Sequence, residues 1–230
     1  MNLNIIRIEL KYYVSYPDYL NLSKKLSMIM KKDQHDIDKG YFIRSLYFDT
    51  INNKAFYEKM EGIEERKKYR LRIYDTKDKN VKFEIKKRIN NQMLKETAVI
   101  TKEDALEIQS QNYDVLIKYN NPILNKIYCE FKQEKFIPVV IVDYLRDAYV
   151  YDLNNIRITF DKSLKSDVSN LNLFENNISG PLLNENVVIM EIKYNHFLPE
   201  HIKKTLQISR FERDAISKYC ISRIRHGGRL

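Results

Sequence analysis

Three segments of this 230-residue chain carry a glutamate and a lysine two positions apart: Glu9 with Lys11, Glu84 with Lys86, and Glu191 with Lys193. A fourth carries Arg70 with Arg72. The alternate positions are apolar, namely Ile8 and Leu10, Phe83 and Ile85, Met190 and Ile192, Tyr69 and Leu71. A spacing of two puts each charged pair on one face of a β-strand and the apolar pair on the other. Guanidinium and ammonium groups so arranged suit phosphate binding through charge-assisted hydrogen bonds. A carboxylate among them, such as Glu191, suits Mg2+ or Mn2+ bridging phosphate oxygens. Two arrangements meet the spacing. In an open sheet the charged face meets solvent, and each cross-strand pair contributes roughly a few tenths of a kcal/mol. In a closed barrel the same face becomes a cation-lined tunnel. Arg70, Arg72, Lys86 and Lys95 have too few carboxylates between them to neutralise the set, so the enclosed form requires a bound polyanion.

These residues need strands to align them and helices to cover the apolar faces. Alternation predicts strands over Ile5–Tyr13, Tyr41–Asp49, Leu94–Ile100 and Val187–Tyr194, with a hairpin of Lys67–Tyr74 and Val81–Arg88 across a polar turn. Val139–Arg146, Ala148–Leu153 and Ile156–Phe160 read as three successive strands, followed by a surface loop over Ser163–Gly180. Pro17 opens a helix whose apolar stripe runs from Tyr19 to Met30 and which ends in Lys31–Asp33. Asn52–Met60 is a short turn or helical piece. Thr101, with Asp104 three residues later, caps a helix to Gln109. Tyr113–Lys135 is helical with a break at Asn120–Pro122, and further helices run from Pro199 to Ile208 and from Arg213 to Ile224. The fold class is α+β: an antiparallel β-barrel with a charged interior and helices packed outside, as one domain over residues 1–230.

Composition narrows the partner. A net charge of +9 calls for an anion, and nucleic acid, acidic lipid and polyphosphate satisfy it equally. Nucleic-acid recognition uses a basic helix or surface that offers aromatics to bases, whereas the 17 Tyr here fall mostly at apolar strand positions, which argues against it. Only 5 Gly leave no Gly-rich phosphate loop. Cys129 and Cys220 lack metal-like spacing and read as buried structural thiols of a reducing compartment. His35, His196, His201 and His226 form no ligand-spaced set. The charged N-terminal strand and the lack of an apolar run of about 20 residues predict a cytoplasmic, soluble chain.

The ordered series RIELKYYV, SLYFDT, KYRLRIY, FEIKKR, RITFD, MEIKY and ISKY, from Arg7 to Tyr219, resembles the VTC domain, a polyphosphate polymerase branch of the triphosphate tunnel, or CYTH-like, superfamily. The resemblance implies the tunnel fold and synthesis of polyphosphate from ATP with Mn2+ or Mg2+. It implies that Lys11, Arg70, Arg72, Lys86, Lys95, Arg146 and Lys218 clamp phosphates, that Tyr144 and Ser217 donate hydrogen bonds, and that Glu191 holds the metal. Lys193 shares the face of Glu191, and Arg157 either lines the barrel or pairs with Asp161. Asp143 and Asp147 offer Arg146 an alternative surface ion pair. Glu9, the second candidate for holding the metal, is the surviving acid of the superfamily's E-x-E-x-K motif, whose first glutamate is Arg7 here, and this speaks against a two-metal triphosphatase.

Motifs of this kind leave three activities open. The chain is a polymerase if the acceptor is a phosphate, and a triphosphatase or polyphosphatase if it is water. Without turnover it is a polyphosphate-binding sensor. The eukaryotic relatives work beside membrane segments, so either a separate membrane-protein partner receives the product or the product stays in the cytoplasm.

Overall fold

The computed structural model describes residues 7–34, 40–89, 92–176, 180 and 186–227. Ile5 and Ile6 of the expected first strand, His35, and residues 177–179 of the expected loop lie outside the described residues. Among the described residues an antiparallel sheet comprises β1 (Arg7–Ser15), β2 (Lys31–Lys32), β3 (Tyr41–Thr50), β4 (Arg66–Ile73), β5 (Asn80–Ile89), β6 (Gln92–Thr101), β7 (Phe136–Tyr151), β8 (Ile156–Asp167) and β9 (Val187–Asn195). Their hydrogen-bonded order is β1-β9-β8-β7-β3-β4-β5-β6, with β2 on β7. The α-helices are α1 (Tyr16–Ser27), α2 (Lys54–Met60), α3 (Lys102–Gln109), α4 (Pro122–Glu134), α5 (Glu200–Leu206) and α6 (Lys218–Arg225).

The chain packs as two compact units. One consists of Met1–Phe42, Tyr144–Leu164 and Leu183–Ile216, the other of Ile43–Asp143, Lys165–Leu182 and Ser217–Leu230. In the first, the apolar faces of β1, β8 and β9, carrying Tyr12, Val14, Ile158, Phe160, Met190 and Ile192, bury against Tyr19, Leu22 and Leu26 of α1 and Ile202 and Leu206 of α5. In the second, Tyr69, Leu71, Phe83, Ile85, Ala98 and Ile100 of β4–β6 bury against Ala105 and Ile108 of α3 and Leu124, Ile127 and Phe131 of α4. Each sheet face that reads as apolar in sequence is therefore the face a helix covers, which leaves the charged positions on the opposite side.

Local signals fix several boundaries as expected. Thr101 accepts from the Asp104 amide at 3.2 Å, capping α3, and Asn121 accepts from the Ile123 amide at 2.9 Å where Pro122 opens α4.

Four expectations are corrected. α1 stops at Ser27 rather than Asp33, because Lys31 and Lys32 leave the helix to pair with Val150 and Tyr149 of β7. β7 runs unbroken through Asp147, whose carboxylate is buried and accepts from Lys162 Nζ at 2.8 Å instead of making a turn. β8 continues to Asp167, into the expected loop, and Leu173 beyond it is fully buried. α6 begins at Lys218 with Ser217 as its cap, since Arg213 bridges to Tyr12 and the Asp214 amide donates to the Lys11 carbonyl at 3.0 Å. The thiols differ too. Cys220 is buried, but Cys129 is exposed, because it lies on the side of α4 opposite the stripe of Leu124, Ile127 and Phe131.

Candidate functional site

Register brings the charged side chains of the second unit into rungs. Lys68, Lys86 and Lys95 stand opposite one another across β4, β5 and β6. Arg70, Glu84 and Thr97 form the next rung, and Arg72 faces Lys82. Like charges directly opposite destabilise a sheet, and here the head groups diverge to separate partners. Lys95 Nζ donates to Glu84 Oε1 at 2.6 Å, whereas Lys68 Nζ donates to Ser217 Oγ at 2.8 Å and lies 5.1 Å from the Tyr219 ring centroid. Glu84 Oε2 receives Arg70 from Nε at 2.7 Å and NH2 at 2.6 Å, with Arg72 NH1 at 3.8 Å. Arg72 Nε donates to Ser45 Oγ at 3.2 Å, and Arg70 NH1 donates to Tyr47 OH at 3.2 Å.

In these rungs Glu84 is the one carboxylate among the described residues, against Lys68, Arg70, Arg72, Lys82, Lys86 and Lys95. Protonation follows from that imbalance. Burial opposes ionisation of Glu84, yet Arg70, Arg72 and Lys95 hold its carboxyl well below the usual range. Burial would likewise raise the Tyr47 phenol, but Arg70, Arg72 and, more weakly, Lys218 draw it below its ordinary value. Burial lowers the pKa of Lys68.

The charged face of the first unit is balanced. Lys11, Glu191 and Thr159 form one rung across β1, β9 and β8, and Glu9, Lys193 and Arg157 form the next. Lys11 Nζ lies 3.0 Å from Glu9 Oε1 and 3.7 Å from Glu191 Oε1, and it donates to the Ile216 carbonyl at 3.1 Å. Lys193 Nζ lies 3.1 Å from Glu191 Oε2 and 3.9 Å from Glu9 Oε2. Arg146 clamps Asp161 with Nε at 2.6 Å and NH2 at 2.8 Å, and NH2 is 3.8 Å from Glu191 Oε2. The Arg146 guanidinium also sits 5.3 Å from the ring centroid of Tyr144, itself a buried residue. Arg157 pairs with Asp33 through NH1 and donates to Tyr41 OH from NH2 at 3.0 Å.

Burial opposes the charge of Glu191, but Lys193, Lys11, a hydrogen bond with Glu9 and Arg146 hold it ionised well below the usual carboxylate range. Burial is also the largest influence on Lys193, whose pKa is lowered.

Both carboxylates expected to meet a metal, Glu9 and Glu191, therefore contact the same two ammonium groups. Among the described residues no group of three His, Cys, Asp or Glu side chains could hold a metal ion. Two hard oxygen donors nevertheless fit Mg2+ or Mn2+, which take one or two protein carboxylates and complete their shell with phosphate oxygens and water. Asp161 is committed to Arg146, so the donor set suits one ion rather than two.

Of the residues singled out in the sequence, strand register brings Arg70, Arg72, Lys86 and Lys95 together on one face, and Lys11, Glu191 and Lys193 together on another. Two pairings that the sequence left open as alternatives do not form. Arg157 takes Asp33 because Asp161 already holds Arg146, and Arg146 ignores its neighbours because Asp143 accepts from Arg44 Nε at 2.7 Å while Asp147 holds Lys162. Lys68 and Tyr47 were missed. Lys68 lies two residues before Arg70, so the alternation that marks Arg70 and Arg72 reaches it as well. Tyr47 follows Ser45 at the same spacing within SLYFDT.

The model of the VTC domain family matches residues 6–224. No curated protein matches the chain. Among solved structures, a putative adenylyl cyclase from Hippeastrum, described as having a dominant triphosphatase activity, is 15% identical with a TM-score of 0.56, over 97% of this chain and 96% of that one. A putative adenylate cyclase from Bacillus halodurans is 16% identical with a TM-score of 0.50, over 93% of this chain and 94% of the other. At these identities the likeness is one of fold.

Proposed function

The chain belongs to the VTC domain family, and we propose that it transfers the γ-phosphoryl group of ATP to the end of an inorganic polyphosphate chain. The observation that carries this reading is the rung of Lys68, Lys86 and Lys95 beside Arg70 and Arg72, with Glu84 as the single carboxylate in those rungs. Such a face is compensated by a linear polyanion whose phosphates repeat along it, each taking one or two charge-assisted hydrogen bonds.

Phosphoryl transfer depends chiefly on alignment and charge neutralisation, which these side chains supply. Arg70, Arg72 and Lys86 grip the donor and acceptor phosphates. Lys95, Lys218 and Ser217 hold outer oxygens. Within the first unit, taken by itself, Lys11, Arg146, Lys193, Arg157 and Tyr144 would bind phosphate beside Glu191 and Glu9. Those two glutamates would hold Mg2+ or Mn2+, which when bound draws charge from phosphate oxygens. The acceptor's terminal oxygen forms a bond to the γ-phosphorus, the bond from that phosphorus to the β–γ bridging oxygen breaks, and ADP leaves. No side chain forms a covalent intermediate.

A second reading, hydrolysis of a triphosphate with water as acceptor, is favoured by the activity described for the Hippeastrum protein of like fold. The test incubates the purified chain with ATP and Mn2+ and resolves ADP, orthophosphate and long-chain polyphosphate, with Arg72→Ala as control. ADP together with long polyphosphate, lost in the variant, is expected. ADP with orthophosphate alone moves the reading to hydrolysis, and tripolyphosphate binding without turnover moves it to a binding module. No helix among the described residues is long and apolar enough to cross a membrane, and co-purification from native cells tests for a membrane-protein partner in handing on the product.

A further inference from the structure

Thr159 presents a buried hydroxyl that nothing in the protein uses. The residue is 2% exposed, and its Oγ1 has no hydrogen-bond partner. It lies on β8 directly opposite Glu191 of β9, so the two side chains share a face with Cβ atoms about 5 Å apart. Glu191 shares a hydrogen bond with Glu9 and makes three cation contacts. Of its three cation contacts only Lys193, at 3.1 Å, is within hydrogen-bond length, while Lys11 and Arg146 stand at 3.7 and 3.8 Å.

A hydroxyl without a partner destabilises a folded chain, and valine would fill nearly the same volume with as good a fit to a strand. Packing therefore gives no reason for the oxygen. A ligand does, because a threonine hydroxyl is a hard oxygen donor that elsewhere completes the shell of a phosphate-bound divalent cation. The face around it is charge-balanced by Lys11, Lys193, Arg146 and Arg157 against Glu9, Glu191, Asp161 and Asp33. Such a balance suits a cation arriving with its own phosphates better than a bare polyanion.

Resting on the reading of Glu191 as a metal carboxylate, we propose that Thr159 Oγ1 is a further oxygen donor to that divalent cation, positioned by the β8–β9 register. The test measures Mn2+ binding by the electron paramagnetic resonance signal of the free ion, alongside thermal melting of the metal-free protein. Thr159→Val, Thr159→Ser and Thr159→Ala are compared with the parent.

The expected result is that Thr159→Val melts no lower than the parent, since it loses an unsatisfied hydroxyl, yet binds Mn2+ about tenfold more weakly. Thr159→Ser, which keeps the oxygen, stays within about threefold of the parent, and Thr159→Ala, which folds with a smaller side chain, loses affinity as valine does. A valine or alanine variant that binds Mn2+ as the parent does overturns the role of Thr159 while leaving Glu191 as the metal carboxylate. A parent that takes up no Mn2+ overturns the metal reading and the role of Thr159 with it.

Discussion

Replacing Glu84 with glutamine separates stability from binding. The carboxylate is 1% exposed and carries Arg70 on one oxygen and Lys95 on the other, with Arg72 at 3.8 Å. Removing one partner of a buried pair costs about 3–5 kcal/mol. Here the Lys95 side chain is 53% exposed, so its share is screened to a few tenths, and the total sits near the lower bound, about 3 kcal/mol. For a chain of this size that lowers the melting temperature by roughly 6–12 °C.

Affinity should move the other way. Removing a negative charge about 5 Å from a bound phosphate relieves about 3 kcal/mol at an effective dielectric near 20. With about half of that screened, tripolyphosphate binds roughly tenfold more tightly. The pH dependence has a fixed sign. Because the folded pKa of Glu84 is depressed, its contribution is complete above the unfolded value near 4.3 and is lost as pH falls through the folded one. The gap in melting temperature between parent and Glu84→Gln is therefore expected to stay constant from pH 7 to about 5 and to close below about 4. Melting curves and calorimetric titration of tripolyphosphate check both parts. A variant that melts with the parent, or that binds tripolyphosphate no more tightly, refutes the reasoning.

Burial lowers the pKa of Lys68 and Lys193, so each opposes folding fully at pH values below its folded pKa, an opposition that fades as pH rises through that value and is gone above about 10.4. An arriving anion raises both values, so tripolyphosphate binding at pH 9 is expected to take up protons, seen as a binding heat that depends on the buffer's ionisation enthalpy. Lys68→Met should diminish that uptake, and a buffer-independent heat in the parent would count against the role of Lys68. A thiol reagent should modify Cys129 at once and Cys220 only on unfolding, so that native protein titrates one thiol quickly. Two fast thiols would contradict the packing of α6.

Much of the molecule is legible in its sequence because strand periodicity is a local property. Two-residue alternation puts Arg70, Arg72, Glu84 and Lys86 on one face and Tyr69, Leu71, Phe83 and Ile85 on the other, whatever the strands pair with. Caps and breaks such as Thr101 and Asn121–Pro122 are equally local, and α3 and α4 begin where they indicate. The signal was weakest where a tertiary partner overrode the local pattern. The apolar spacing of Ile29 and Met30 continues a helix, yet pairing of Lys31 and Lys32 with β7 takes the backbone away from it. Asp147 resembles a turn residue until Lys162 and Tyr19 bury it inside a strand.

The sequence by itself determined which residues are cationic, which faces they occupy and, through its ordered motifs, the family. It could not determine register, which depends on contacts between residues far apart in the chain. Register is what sets Lys68, Lys86 and Lys95 in one rung, gives Asp161 rather than Asp143 to Arg146, and stands an unpartnered Thr159 hydroxyl opposite Glu191.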